Sequence, residues 1–455
     1  MAVYLIRSCS WLLIVLTLFI HADCGDIVKT LPGFPGELPF TLETGYIGVE
    51  HSELFYLFVE STGNPKTDPL LLYLIGGPGC SALNAFFFQV GPLAFNEADY
   101  TGGLPQLILR SYPWTKSASI IFLDAPVGTG YSYSTSPESL VPSDSMSARQ
   151  TYKFLRQWLM EHPQYLLNPV LIVGDSYSGM LAPIISKHIL DGNAAGPKPY
   201  ITLIGMIGGS PVTSIALENN TKIIMAHRLT LISDSLYEEA KESCEGWYID
   251  VNPSNTKCVK ALQEIDELLT DINVANVLDP NCERLSPKPN DTRSRRVLKG
   301  KETNFQWQFQ KQHHQKWWCK SYVYLLSYIW ANDEKVQEAL HVREDIYNKD
   351  ISDAIDYQKN LTQTNLKVLL YNGDHDLVVS HISTETWIGT LHLTVEDPWR
   401  PWFVDGQVAG YQVQYSNIGY RLTYATVKGA GHSPTEYNNR ECFEMFERWI
   451  HFYPL

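Results

Sequence analysis

The chain lacks an apolar run long enough to cross a bilayer. Its N-terminal apolar stretch, Trp11 to Ile20, is ten residues, and no later run reaches the roughly 18 that a spanning helix needs. It also lacks a basic excess. Lys and Arg number 35 against 49 Asp and Glu, a net charge of −14, with no basic stripe to neutralise phosphates, which excludes a nucleic-acid surface. No Cys/His quartet has zinc spacing, and His313-His314 is adjacent rather than i, i+4, so no metal is expected. There is no internal repeat and no low-complexity tract. The glycine-rich Gly76-Gly77-Pro78-Gly79-Cys80-Ser81 is not followed by Gly-Lys-Ser/Thr, which excludes a phosphate-binding P-loop. No cofactor is implied.

What is present begins with a leader. Arg7, the apolar core Trp11 to Ile20 and the small residues of Ala22-Asp23-Cys24-Gly25 form a secretory signal peptide over residues 1–24. The mature chain is then lumenal, with no membrane contact after cleavage. Cys9 and Cys24 leave with the leader, so Cys80, Cys244, Cys258, Cys282, Cys319 and Cys442 remain. An even number in an oxidising compartment favours disulfides, although spacing does not choose among the pairings. Asn219, Asn290 and Asn360 open N-x-S/T sequons and are expected to be glycosylated.

The next layer is an alternation of strands and helices. Leu70 to Ile75, Ser119 to Leu123, Val170 to Val173 and Ile204 to Ile207 are short apolar runs, as expected of strands buried on both faces. Tyr152 to Met160 has helical spacing. Residues 25–211 therefore read as the first part of a parallel α/β core. Residues 212–320 break the pattern and form a polar, cysteine-bearing, partly helical insertion, with helices expected at Ser233 to Lys241 and Val259 to Leu269. Within it, 286–304 carries Arg293, Arg295, Arg296, Lys299 and Lys301, a candidate processing site. Sheet patterning resumes in 321–455 with Val368 to Tyr371 and Leu422 to Val427. A closing helix carries Cys442, Phe443, Phe446, Trp449 and Ile450.

Chemistry concentrates at strand ends. Val170 to Val173 runs into Gly174-Asp175-Ser176-Tyr177-Ser178-Gly179, and a helix pattern follows. A serine on a tight strand-to-helix turn presents its hydroxyl beside backbone N–H groups. It needs a base and an acid. Asn372-Gly373-Asp374-His375-Asp376 supplies the acid after one strand, and Gly429-Ala430-Gly431-His432 the base after another. The order Ser, Asp, His is that of α/β-hydrolases. Gly77 and Tyr177 N–H are the expected oxyanion donors, because glycine lets the backbone come close.

These motifs together resemble the serine carboxypeptidase-like proteins. The likeness runs through Leu54-Phe55-Tyr56, Gly76 to Ser81, Trp114-Thr115-Lys116, Asp124 to Ser132, the Ser176 elbow, Trp330-Ala331-Asn332, Asn372 to Asp376 and Gly429 to His432. The resemblance implies an α/β-hydrolase fold with a mostly parallel central sheet and a helical lid insertion. It implies a triad of Ser176, Asp376 and His432, with Asp374 structural. It also implies disulfides Cys80–Cys319 and Cys244–Cys258, with Cys282 and Cys442 unassigned.

Peptidases of that family grip a free carboxylate with Trp-Leu-Asn-Gly-Gly and Gly-Glu-Ser-Tyr. This chain has Tyr73-Leu74-Ile75-Gly76-Gly77 and Gly174-Asp175-Ser176-Tyr177. The Ile75 side chain donates no hydrogen bond and Asp175 is one methylene short, so Tyr73, Ile75, Gly76 and Asp175 are read as altered substrate contacts. The Asp-Ser-Tyr-Ser elbow is similar to the plant branch that moves an aromatic acyl group from a 1-O-acyl-β-D-glucose onto an acceptor hydroxyl. The alternative is a serine carboxypeptidase acting at acid pH. The partners implied are a small-molecule acyl-glucose donor and an acceptor, in the vacuole lumen or outside the cell. Processing at 286–304 would leave two disulfide-linked chains. Trp247, Trp307, Trp317 and Trp318 in the insertion are candidates to stack on an aromatic group.

Overall fold

The computed structural model describes residues 25–136, 143–281, 320–340 and 350–455. The leader, the basic segment 286–304, Cys282, Cys319, Asn290, Trp307, Trp317 and Trp318 lie outside the described residues.

Fourteen strands are described. The first seven are β1 (Asp26–Ile27), β2 (Leu42–Val49), β3 (Ser52–Val59), β4 (Leu70–Leu74), β5 (Leu93–Phe95), β6 (Leu107–Leu109) and β7 (Ser119–Leu123). The rest are β8 (Tyr133–Ser134), β9 (Val170–Asp175), β10 (Leu203–Gly209), β11 (Lys367–Gly373), β12 (Thr394–Val404), β13 (Gln407–Asn417) and β14 (Tyr420–Val427). Twelve form one sheet in the order β1-β2-β3-β7-β4-β9-β10-β11-β14-β13-β12, with β8 on β3. The six from β7 to β14 run parallel, and both flanks are antiparallel. The expected parallel core is therefore the observed one.

Alternation along these strands feeds two cores. Leu171 and Val173 of β9 join one apolar layer with Leu71, Tyr73, Leu369 and Tyr371. Val170 and Ile172 join the other with Leu70, Leu72, Val368 and Leu370. Helices cover both faces, among them α1 (Asp144–Glu161) and α2 (Ser178–Ala195). The insertion contributes α3 (Ile215–Arg228), α4 (Asp234–Ser243) and α5 (Thr256–Leu269), followed by α6 (His381–Gly389) and the closing α7 (Asn439–Ile450) in the second half. Helix α7 buries Cys442, Met445, Phe446 and Trp449, one stripe at helical spacing, and Phe446 stacks on Trp114 at 4.2 Å.

The insertion has its own small core. Met225, Leu236, Ile265 and Leu269 pack together with Leu377 and Ile382, which belong to the second half of the main fold. The expected Cys244–Cys258 disulfide closes the loop between α4 and α5. Cys80 is exposed and Cys442 buried, each unpaired among the described residues.

The edge hairpin β12–β13 was not anticipated. Pro398 and Pro401 fall within β12, and proline is tolerated there because the strand lies at the sheet edge. Its turn is Asp405-Gly406, with both residues at positive φ, the hairpin dipeptide that the sequence did display.

Candidate active site

Every expected catalytic group sits at the carboxyl end of a parallel strand, which is where such a sheet places its cleft. Ser176 follows β9 directly and takes φ +56°, a left-handed conformation rare for a serine. The turn is held from several sides. Ser176 N–H donates to the Gly209 carbonyl at 2.8 Å, and its own carbonyl accepts from Gly179 and Val212, each at 2.9 Å. Ser178 Oγ donates to the Ile75 carbonyl at 2.8 Å, tying the elbow to the glycine loop.

The three side chains form one chain of hydrogen bonds. Ser176 Oγ lies 2.7 Å from His432 Nε2, and His432 Nδ1 lies 2.9 Å from Asp376 Oδ2. Asp376 is fully buried. Its other oxygen accepts from Val378 N–H at 2.7 Å and Val379 N–H at 3.1 Å. Burial opposes charge on His432, but Asp376, by charge and hydrogen bond, and then Asp175 outweigh it, so the imidazole pKa stands above the usual 6.5. Asp374 plays a separate part. It accepts from Gly429 N–H at 2.7 Å and contacts His375 Nδ1 at 2.6 Å, clamping the acid turn to the histidine loop.

The glycine loop comes against the elbow backbone to backbone. A Cβ on Gly76 would lie 2.2 Å from the Tyr177 nitrogen and 2.6 Å from Ser176 Cβ, so no side chain fits there. Gly77 has φ +145°, a conformation that favours glycine. Tyr177 is the N-cap of α2, where a backbone N–H has no partner within the helix. Tyr177 N–H thus borders the nucleophile, and Gly77 follows directly on Gly76, the residue that touches the elbow.

Beneath the elbow the residues read as substrate contacts divide. Ile75 is half-buried against the apolar layer. Tyr73 and Asp175 are buried. The Tyr73 hydroxyl donates to Gln89 Oε1 at 2.7 Å, and Gln89 Nε2 donates to Asp175 Oδ2 at 3.1 Å. The same nitrogen reaches Ser433 Oγ, next to His432, at 3.3 Å. Burial pushes the Asp175 carboxyl up to about 7, against the pull of His432 and of the Gln89 hydrogen bond.

Three groups at this site escaped sequence reading. Gln89 is one; its only signal was a polar residue closing the run Ala85-Phe86-Phe87-Phe88. Asp144 is another; buried at the start of α1, it accepts from the Tyr177 hydroxyl at 3.1 Å and from Asp350 and Ile351 N–H at 2.8 and 2.9 Å. The third is the stretch Val274 to Val277 of the insertion. Ala275 carbonyl accepts from His432 N–H at 2.6 Å, Val274 carbonyl from Leu377 N–H at 2.9 Å, and His375 carbonyl from Val277 N–H at 3.2 Å. Backbone carbonyls leave no signature in a sequence.

Of the sequon asparagines, Asn219 and Asn360 are exposed. Trp247 of the insertion is also exposed.

A serine, an imidazole and a buried carboxylate in this geometry can form and resolve an acyl-serine. Comparison with known proteins agrees. The sequence profile described as serine carboxypeptidase matches residues 32–452. The chain belongs to the serine carboxypeptidase family. It is 43% identical to serine carboxypeptidase-like 12 of Arabidopsis thaliana, over 96% of this chain and 98% of that one. Serine carboxypeptidase-like 11 of the same plant is 42% identical, covering 97% and 99%. Among solved structures, a prohormone-processing carboxypeptidase from Saccharomyces cerevisiae, Kex1(delta)p, superposes with a TM-score of 0.71 at 16% identity, covering 94% of this chain and 96% of that one. The fold of this serine carboxypeptidase-like enzyme is therefore the α/β-hydrolase type, with its mostly parallel central strands.

Proposed function

We propose that this serine carboxypeptidase-like enzyme is an acyltransferase. It moves an aromatic acyl group from a 1-O-acyl-β-D-glucose to the hydroxyl of a second small molecule. The observation that carries the reading is the placement of Asp175. A peptidase of this family needs donors or an acid to bond the free carboxylate of its substrate. Here the elbow acid is buried, its Oδ2 bonded to Gln89 and its Oδ1 without a partner among the described residues, and the Ile75 side chain at the loop offers only hydrocarbon. A polar substrate group left unmatched in a site costs orders of magnitude in turnover.

The steps follow from the triad. Ser176 Oγ adds to the ester carbonyl while its proton passes to His432 Nε2. Gly77 and Tyr177 N–H hold the oxyanion, a role worth ~3–4 kcal/mol per donor. The bond to the glucose oxygen breaks, and that oxygen takes the proton from His432. The acceptor hydroxyl then gives its proton to His432 and attacks the acyl-serine, restoring Ser176 and releasing the new ester. Asp376 holds the imidazole tautomer throughout. Transfer outruns hydrolysis when the acceptor is positioned and water excluded. The enzyme would meet both substrates in the secretory route, with the vacuole lumen as the end point.

Purified protein incubated with a panel of 1-O-acylglucoses and acceptor alcohols tests this, with new ester and free acid scored by mass spectrometry. Ester formation that disappears in Ser176→Ala is expected. Release of an amino acid from a blocked dipeptide at acid pH, at a rate comparable to glucose-ester turnover, would make the enzyme a carboxypeptidase instead.

A further inference from the structure

Far from the cleft, a buried acid waits at the start of the described chain. Glu43 on β2 is buried and its Oε1 takes two contacts, from the Tyr56 hydroxyl at 2.6 Å and from His162 Nε2 at 2.8 Å. Tyr56 and His162 are buried as well. His162 Nδ1 is spent on the Trp158 carbonyl at 2.8 Å. The remaining neighbour is the Gly25 nitrogen, which donates toward both the Glu43 carboxyl and the Tyr56 oxygen. One amide N–H therefore faces two acceptors.

Gly25 is built into this spot. A Cβ there would lie 2.6 Å from the Thr44 carbonyl oxygen, 2.6 Å from Tyr56 Oη and 2.8 Å from Glu43 Oε1. Gly45, opposite, makes room in turn, since its Cβ would come within 3.1 Å of Gly25 Cα. β1 follows at once and pairs Asp26 with Thr44 and Ile27 with Glu43, which holds the nitrogen in place. Among the described residues, the positive charge that acts on Glu43 is that of His162. Burial disfavours the Glu43 carboxylate, and hydrogen bonds and charge from His162, with Tyr56 and Gly25, overcome it. Glu161 adds a second negative group that acts on Tyr56.

The sequence places a small residue at each position a leader peptidase reads here. Ala22 and Cys24 stand third and first before Gly25, the A-x-A-like pattern of a signal cleavage site.

We propose that the leader is cut between Cys24 and Gly25, and that the new Gly25 ammonium seats on Glu43 as the terminal anchor of the mature fold. Water and a leader peptidase break the Cys24–Gly25 amide, leaving a carboxylate on the leader and an ammonium on the chain. The ammonium has three donors where the amide had one, so Glu43 and Tyr56 are both served. It also brings a full positive charge to a buried carboxylate, the setting in which an ion pair and its hydrogen bonds reinforce each other. Maturation is thereby coupled to the stability of the β1–β2–β3 edge.

The test uses the full chain secreted from a plant or yeast host. Intact mass is expected to show a mature protein starting at Gly25; any other start overturns the proposal. A second chain, made with a different leader that leaves one serine ahead of Gly25, is verified by mass and compared by thermal unfolding. It is expected to melt ~2 °C lower, and the difference is expected to shrink when both chains carry Glu43→Gln. Equal melting of the two native-Glu43 chains would overturn the anchor even where the cut is correct. That comparison decides the matter should Glu43→Gln not fold.

Discussion

Asp175, the residue beside the nucleophile, accepts its hydrogen bond from Gln89 at 3.1 Å, and Gln89 in turn accepts from Tyr73 at 2.7 Å. The elbow carboxylate is thus part of the floor under Ser176. It sits close enough to His432 to hold up the imidazole pKa, after Asp376. Its own pKa, raised by burial to about 7, makes it sensitive to pH near neutrality.

Asp175→Asn removes one anion that favours the imidazolium. The His432 pKa then falls, the neutral base persists to lower pH, and the acid limb of kcat/KM for the Ser176-dependent reaction moves downward. A pH–rate profile of the variant checks this. An unmoved limb would mean that Asp175 does not act on His432.

The same substitution alters stability with a defined sign. A carboxyl raised from 3.8 to about 7 on folding adds stability that is full below 3.8 and is lost as pH rises through about 7. Asparagine does not titrate, so the variant gains on the wild type between pH 4 and 8. Its melting temperature minus that of the wild type is expected to increase across that window.

Gln89→Ala leaves the Tyr73 hydroxyl and Asp175 Oδ2 buried without their partner. Each stranded buried group costs ~1–3 kcal/mol, so a clear drop in melting temperature is expected. Turnover by Ser176 should also weaken, since the packing behind the elbow loosens. Gln89→Glu, which keeps the shape but adds charge, should raise the pH at which activity appears.

The two acids of the Asn372 to Asp376 turn should separate in kinetics. Asp376→Asn is expected to lower kcat by ~10⁴ with substrate affinity kept, because the histidine tautomer is lost. Asp374→Asn should cost far less in kcat and more in stability, because Asp374 clamps Gly429 and His375 rather than His432. Equal kcat losses would assign both to catalysis.

Contact between the insertion and the histidine loop is testable at Gly431. A Cβ there would stand 2.3 Å from the Ala275 carbonyl oxygen and 2.5 Å from Asn276 Cβ. Gly431→Ala should push the insertion away from His432 and reduce kcat at least tenfold while the fold, read by circular dichroism, survives. Full activity would show that the Ala275–His432 bond is dispensable.

The amino-acid sequence by itself determined the parallel core, the elbow at Ser176 and the order in which acid and base follow. Those features rest on local pattern: apolar runs of strand length, a glycine-flanked serine, and short turns after strands. Asp376 was separable from Asp374 by resemblance, and the structure places Asp376 against His432. The edge hairpin was missed because its prolines argue against a strand until its position at the edge is known. Tertiary structure alone decided that Asp175 and Tyr73 are buried, that Gln89 joins them, and that Ala275 carries the histidine loop. These relationships link groups 86 residues apart for Gln89 and Asp175, or run through main-chain carbonyls that every residue has. Folding creates them by bringing chemically ordinary groups to hydrogen-bond distance, and no local pattern records that approach.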